Sequence, residues 1–272
     1  MPNEIITTSG LAAAVGLKLL NDVCGPTAKY VGGELKSYTE VGVDNLKRVL
    51  KNAAKQIKAQ NKDEGQVPPR VLKEILSEGY FCEDELCAMY LGGVLASSKS
   101  LVSRDDRAMS YCSLVSSLSS YQLRTHCILY SVLLRTKHLQ IGGTQYYPKE
   151  GLLTWIEKHG LTVTIRETDY QVAMEFSPLE QPTNIAQHAF VGLEKKGLSE
   201  GGFHVRKQVH PSEGEVSFRY FYPTILGVEL FLWGQGFGDS GLGAYKADLL
   251  QTIKLPFNVE PYGVYPNRVN FA

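Results

Sequence analysis

Three groups of residues in this chain have types and spacings that could do chemistry. The glycines at 234, 236, 238, 241 and 243 could cradle a phosphate. Cys82 and Cys87, or His204 and His210, could hold a metal, and six basic residues between Val43 and Lys62 could neutralise phosphates. The first two groups lack their companions. A nucleotide fingerprint sets its glycines between a strand and a helix N-terminus, and a P-loop continues into Lys followed by Ser or Thr. Neither condition holds in GQGFGDSGLG, so these glycines read as a mobile surface loop. Neither CxxC nor HExxH occurs, and two histidines without a third ligand make no metal centre, so no metal and no cofactor are expected. No GxSxG or cysteine-centred signature marks a nucleophile. The acids Asp105, Asp106, Glu83, Asp84 and Glu85 stand where helices begin, as caps and dipole partners. No catalytic residue emerges, and the chain reads as non-enzymatic.

The basic group is the most regular of the three. Lys47, Lys51, Lys55, Lys58 and Lys62 run beside the apolar stripe Leu46, Leu50, Ala53 and Ile57, the i, i+4, i+7, i+11 pattern of an amphipathic helix over Leu46 to Lys62 capped by Asp44. The local balance of +5 makes Lys47, Lys51, Lys55 and Lys58 candidate contacts for lipid or nucleic acid. Residues 63–86 carry a balance of −5, and the favoured expectation is that they fold back and neutralise the stripe.

Stepping along the chain, residues 8–35 suggest two short helices around Gly25-Pro26. Helices are expected at Val71 to Leu76, opened by Pro68-Pro69, and at Asp84 to Ala96, the two joined by a turn at Gly79. Two more are expected at Arg104 to Leu118 and Ser119 to Thr136, the last capped by Ser119 or Ser120, with Leu123, Cys127, Tyr130 and Leu134 on one face. Leu152 to His159 reads as a short helix, Thr162 to Glu167 as a strand, and Gln171 to Phe176 as a strand able to pair with it. From Gln181 to Trp233 an amphipathic helix, two β-like runs around a polar turn and a closing helix follow in the order of a winged helix. The fold expected is mainly α: a helical domain over 1–118, then a winged-helix-like α+β domain over 119–272 with an insertion and a C-terminal extension.

Composition bounds the partners. Hydrophobic residues make up 43% and charged residues 21%, ordinary for a folded chain of 272 residues. Lys and Arg together equal Asp and Glu at 28 each, so no global field draws it to nucleic acid or membrane. Over residues 179–230 five bases face six acids, which argues against specific DNA binding. Phe203, Val205, Val209, Val216, Phe218, Tyr220 and Tyr222 suit protein contact or the module's own core. The odd count of five cysteines within apolar patterns suits free thiols in a reducing compartment, so a cytosolic location is expected. The apolar segment Leu11 to Leu20, broken by Gly16 and Lys18, can touch a membrane but is too short to cross one.

GPTAKYVGGEL, NLKRVLKNAAKQI, VPPRVLKEILSEGYFCEDELCAMYLGGVLASS, SSLSSYQLRTHCILY, FVGLEKKGLSEGG and TILGVELF together resemble the Abi-alpha (abortive infection alpha) family over most of residues 17–233. The resemblance implies a helical N-terminal region, a winged-helix-like end and a role in defence against bacteriophage. Where that family often has a tryptophan-containing run ending in two leucines, this chain has Met89, Tyr90, Leu91, Gly92, Gly93, Val94 and Leu95, a sign of close helix packing. The function expected is a sensor or adaptor that recognises a phage-derived protein or a companion defence protein through Gln187, Lys195, Arg206, Lys207 and His210. The alternative is a membrane-acting effector docking its basic helix on anionic lipid; a DNA-binding regulator ranks third. A second copy of the chain is left open as a partner.

Overall fold

The computed structural model describes residues 40–62, 64–102, 104–135, 139–141, 144–146, 156, 160–201, 203–210, 212–238 and 256–266. The helices expected within 8–35 and at 152–159 lie outside these residues, apart from Ile156, which is helical. The protein is mainly helical, with a small antiparallel sheet in its C-terminal part. Its contacts divide it into two units: residues 1–117 with 232–241, and residues 118–231 with 242–272. The described residues 232–238, which sequence reading leaves in the C-terminal domain, fall in the first unit.

The first unit is built on α1 (Glu40–Ala59), α2 (Pro69–Tyr80), α3 (Glu85–Ser98) and α4 (Ala108–Ser116). In α1 the expected stripe of Leu46, Leu50, Ala53 and Ile57 is buried, together with Val43 and Val49. The helix begins before Asp44, which therefore does not cap it but pairs with Lys47 on its own surface at 2.8 Å. The reason is Gly42, which lies against the Tyr80 ring and carries the buried face one turn further back. At the other end Asn61 takes a left-handed conformation, and Lys62 N–H donates to the Ile57 carbonyl at 3.1 Å, so the helix closes before Lys62. Gly79 is no turn: it sits inside α2, a side chain's width from Leu46 and Val49 of α1.

Helix α3 is buried on nearly all sides, with Tyr90 through Ser98 enclosed, as expected of a helix apolar all round. Asp84 caps it by accepting from Cys87 N–H at 2.8 Å. Gly92 and Gly93 are points of close approach. A methyl group on Gly92 would meet the Val49 carbonyl and Asn52, and one on Gly93 would lie 1.9 Å from the Gly234 carbonyl oxygen. Gly234, Gln235, Gly236 and Gly238 are themselves buried, which corrects the expectation of a surface loop for the part of the glycine-rich stretch that is described. Gly238 N–H donates to Ser97 Oγ at 3.0 Å, Ser97 donates to the Trp233 carbonyl at 3.1 Å, and the Trp233 ring stacks on Tyr111 of α4. Gly241 and Gly243 lie outside the described residues.

The second unit contains α5 (Ser120–Arg135), β1 (Leu139–Ile141), β2 (Thr144–Tyr146), β3 (Leu161–Arg166), α6 (Glu167–Met174), α7 (Pro182–Lys195), β4 (Ser199–Glu200), β5 (Val205–His210), β6 (Gly214–Pro223), the first part of α8 (Ile225–Gly234) and β7 (Gly263–Pro266). Ser119 and Gln122 form a capping box at the start of α5: Ser119 Oγ accepts from Gln122 N–H and Gln122 Oε1 from Ser119 N–H. Leu123, Cys127, Tyr130 and Leu134 are buried along its length. The second expected strand, Gln171 to Phe176, is instead the end of α6 through Met174, followed by the left-handed Glu175 that closes it. Its buried residues Tyr170, Ala173 and Met174 follow helical spacing, and Glu167 and Asp169 favour a helix N-terminus.

Strand β6 is the centre of the sheet. It pairs antiparallel with β3 along one edge (Val163 opposite Phe221, Ile165 opposite Arg219) and with β5 and β4 along the other, while β7 extends the sheet beyond β3. Arg219 of β6 is buried and its guanidinium is bonded to both carboxylate oxygens of Glu167. It also donates to the Phe203 carbonyl at 2.7 Å and lies over the rings of Tyr170 and Phe190, at 5.3 and 5.5 Å from their centroids. This single side chain thus joins β6, α6, α7 and the loop before β5. Because removing one partner strands a buried charge, Arg219→Met should cost about 3–5 kcal/mol of stability. Urea unfolding followed by circular dichroism would show this, and Arg219→Met with Glu167→Leu together should recover part of the loss. A cost below about 1 kcal/mol for the single variant would mean that the pair does not organise this unit.

Candidate functional site

The residues expected to recognise a partner fall on two elements of the second unit. Helix α7 starts at Pro182, whose missing N–H costs nothing in a first turn, and ends where Gly197 turns left-handed and Leu198 N–H returns to the Leu193 carbonyl at 2.9 Å. Ala186, Ala189, Phe190 and Leu193 form its buried face, which leaves Gln187 and Lys195 exposed. Arg206, Lys207 and His210 lie on β5, an outer strand whose residues are exposed from Val205 to Val209. Strand alternation divides them. Arg206, Gln208 and His210 share one face with Phe218 and Tyr220, and Val205, Lys207 and Val209 share the other with Glu215. The structure therefore does not gather Arg206, Lys207 and His210 into one cluster.

Each cation of the hairpin has a partner that sequence order does not reveal. Arg206 lies over the Tyr220 ring at 4.3 Å and donates to its hydroxyl at 3.3 Å, and Lys207 pairs with Glu215 across the strands. At the turn, Arg166 of β3 reaches Glu213 at 2.7 Å, and the Arg166 guanidinium holds the Glu213 carboxyl below the ordinary carboxylate range. His210 Nδ1 is 3.0 Å from Ser212 Oγ. Between and beside these cations the strand exposes two valines, Val205 at 42% and Val209 at 76%, together with the polar Gln208. Tyr220, already a candidate for protein contact from the sequence, is joined on this surface by Glu213 and Glu215, to which only the strand register could have pointed.

The lysine helix belongs to the first unit. Lys47 is taken up by Asp44, while Arg48 donates to the carbonyls of Glu83 and Cys82. Lys51, Lys55 and Lys58 are exposed and form no ion pair among the described residues, so the expected neutralisation by residues 63–86 does not reach them. The acids of α2 are turned elsewhere. Glu74 and Glu78 stand close enough to Cys112 of α4 to add to the effect of burial, which pushes that thiol up to about 12.

Other groups with chemical potential are structural. Ser119 Oγ lies 3.1 Å from His188 Nε2, a contact between residues 69 apart that no motif betrays. It is exposed, and Ser119 already serves as the α5 cap. His204 and His210 come with no third ligand: among the described residues no three His, Cys, Asp or Glu side chains are placed to hold a metal ion. No described helix is long and apolar enough to cross a membrane. No protein-family model, no curated protein and no solved structure matches this chain.

His126 of α5 is fully enclosed, and its Nε2 lies 3.0 Å from the Gly227 carbonyl, an arrangement in which the ring nitrogen must donate. Burial lowers its pKa from 6.5 to about 3, so the ring stays neutral in the fold while an unfolded histidine protonates below about 6.5. Between these values the unfolded state binds more protons, and stability must fall as pH falls, by about 1 kcal/mol per unit from this group. Urea midpoints from pH 7 to 4.5 should show that slope, reduced by one proton in His126→Gln. Equal slopes in both proteins would mean that His126 is charged in the fold or does not titrate on unfolding.

Proposed function

We propose that this protein is a non-enzymatic sensor or adaptor in antiphage defence, and that its second unit engages a phage-derived or companion defence protein through a winged-helix-like module. Support for the module comes from element order: α5, β3, α6, α7, β5 and β6, with β6 between β3 and β5, is the order of a winged helix, with α7 in the recognition position and the β5–β6 hairpin as the wing. The observation that carries the reading is the hairpin itself. It is exposed along β5, its cations are engaged by Tyr220 and Glu215, and it presents Val205 and Val209 to solvent, a combination suited to a protein partner. Duplex DNA asks for the reverse. The exposed face of α7 carries one acid and one base, Glu194 and Lys195, and the fifth base counted around the hairpin, Arg219, is buried against Glu167.

Affinity purification from infected and uninfected bacteria tests the reading. The wild type should capture an infection-dependent protein and restrict plaque formation. Arg206→Glu with Val209→Asp should weaken capture by at least about tenfold and abolish restriction while unfolding normally in urea. Full protection by that variant would count against the hairpin as the recognition surface.

Anionic membrane docking is the second reading, and one observation favours it: Lys51, Lys55 and Lys58 stand exposed on one helix and form no ion pair among the described residues. Co-sedimentation with phosphatidylserine-rich vesicles should be weakened by salt and, at low salt, reduced roughly a hundredfold when the three lysines become glutamates. Absence of wild-type binding at low ionic strength would remove this reading.

A further inference from the structure

Cys82 and Cys87 are separated by four residues and lie on either side of a helix start. Cys82 lies two residues past α2, and Cys87 lies in the first turn of α3. Both thiols are free and both residues meet at Asp84: Cys82 Sγ donates to its carbonyl oxygen at 3.4 Å, Cys87 N–H donates to its carboxylate at 2.8 Å, and each thiol is the largest influence on the acidity of the other. The loop between them is held from α1. Arg48 donates to the carbonyls of Cys82 and Glu83, and Asn45 Nδ2 donates to the Tyr80 carbonyl at 2.9 Å. Cys87 is partly exposed and Cys82 is 6% exposed, whereas Cys112 and Cys127 are sealed inside their units.

We propose that Cys82 and Cys87 form a reversible dithiol–disulfide site whose oxidant is a peroxide, with Cys87 as the attacking sulfur and Cys82 as the resolving one. Burial decides the roles, since only Cys87 is open to a small molecule. The Cys87 thiolate attacks one oxygen of hydrogen peroxide. The O–O bond breaks, and with one proton taken up the products are the Cys87 sulfenic acid and water. Cys82 sulfur then attacks the Cys87 sulfur, an S–S bond forms, and the S–O bond breaks. The hydroxyl leaves with the Cys82 proton as a second water. Two thiols lose two electrons and the peroxide gains them. Hydrogen bonding from Cys82 lowers the Cys87 pKa against the opposing effects of burial, Asp84 and Glu78, and raises that of Cys82, in keeping with these roles.

Peroxide treatment of the full chain, followed by blocking of remaining thiols and tryptic mapping, tests the site. The peptide from Glu74 to Lys99 contains both cysteines and no other. After treatment it should be lighter by two hydrogens and unblocked, returning to the dithiol with dithiothreitol, while Cys112 and Cys127 stay reduced. In Cys82→Ser the Cys87 sulfenic acid should be trapped by dimedone; in Cys87→Ser, Cys82 should stay unmodified. Before oxidation, native Cys87 should be alkylated at least about tenfold faster than Cys112. A wild type whose Cys87 proceeds to the sulfinic acid beside a reduced Cys82, or whose two thiols both survive peroxide, would overturn the proposal. Circular dichroism on both variants separates loss of chemistry from loss of fold.

Discussion

The second unit depends on one buried ion pair. Two charges removed from water are tolerated only where the hydrogen bonds are nearly complete. Arg219 meets this with both oxygens of Glu167 and the Phe203 carbonyl, between the Tyr170 and Phe190 rings. Because Arg219 lies at the middle of β6, a one-residue slip of that strand would turn the guanidinium to the opposite face and leave the largely buried Glu167 carboxylate without its cation. The pair therefore sets the register of β6 against both β3 and β5. That register in turn places Tyr220 beneath Arg206 and Glu215 beside Lys207. A buried charge thus determines what an exposed hairpin presents.

The first unit solves a different problem. Helix α3 has no polar face to give to water, so neighbours must approach it from nearly every side. Gly92 and Gly93 allow that approach, one toward the α1 backbone and one toward the Gly234 carbonyl, and Gly234 in turn leaves room for the Tyr90 ring. Small residues lose little side-chain entropy here and let carbonyl groups come close, at the cost of tolerating no added methyl group. Packing of this kind fixes the inner face of α1, and Asn45 and Arg48 tie its first turns to the end of α2 and the loop between α2 and α3. The outer face is left to Lys51, Lys55 and Lys58, which contribute nothing to the core and are free to serve as a surface.

Much of this was legible in the residues, and the failures share a cause. The apolar periods of α1 and α5, Pro69 and Pro182 at helix starts, and the helix, hairpin, helix order after Gln181 are local signals carried by side chains. The glycines at 234, 236 and 238 carry no side-chain signal, so a buried close approach and a mobile loop look alike until the facing residues, Tyr90, Gln56 and Trp233, are in place. Glu167 and Arg219 lie 52 residues apart and each looks like a surface charge in its own neighbourhood. The α6 segment misled because a short run of mixed residues fits two periods. Its acids at Glu167 and Asp169 were the better guide, since they oppose a positive helix end and have no such role in a strand.

The candidate surfaces follow from what these cores do not use. On the hairpin, the cations that sequence order offers for recognition are already engaged by neighbours, so a partner would gain little by competing for Lys207 against Glu215 in water. Burial of Val205 and Val209, by contrast, removes apolar area from solvent without breaking an existing contact. The binding free energy of such a surface should then come from its valines and aromatic residues. Arg206, fixed over Tyr220, would supply orientation, because a guanidinium already held in place loses less freedom when a partner arrives.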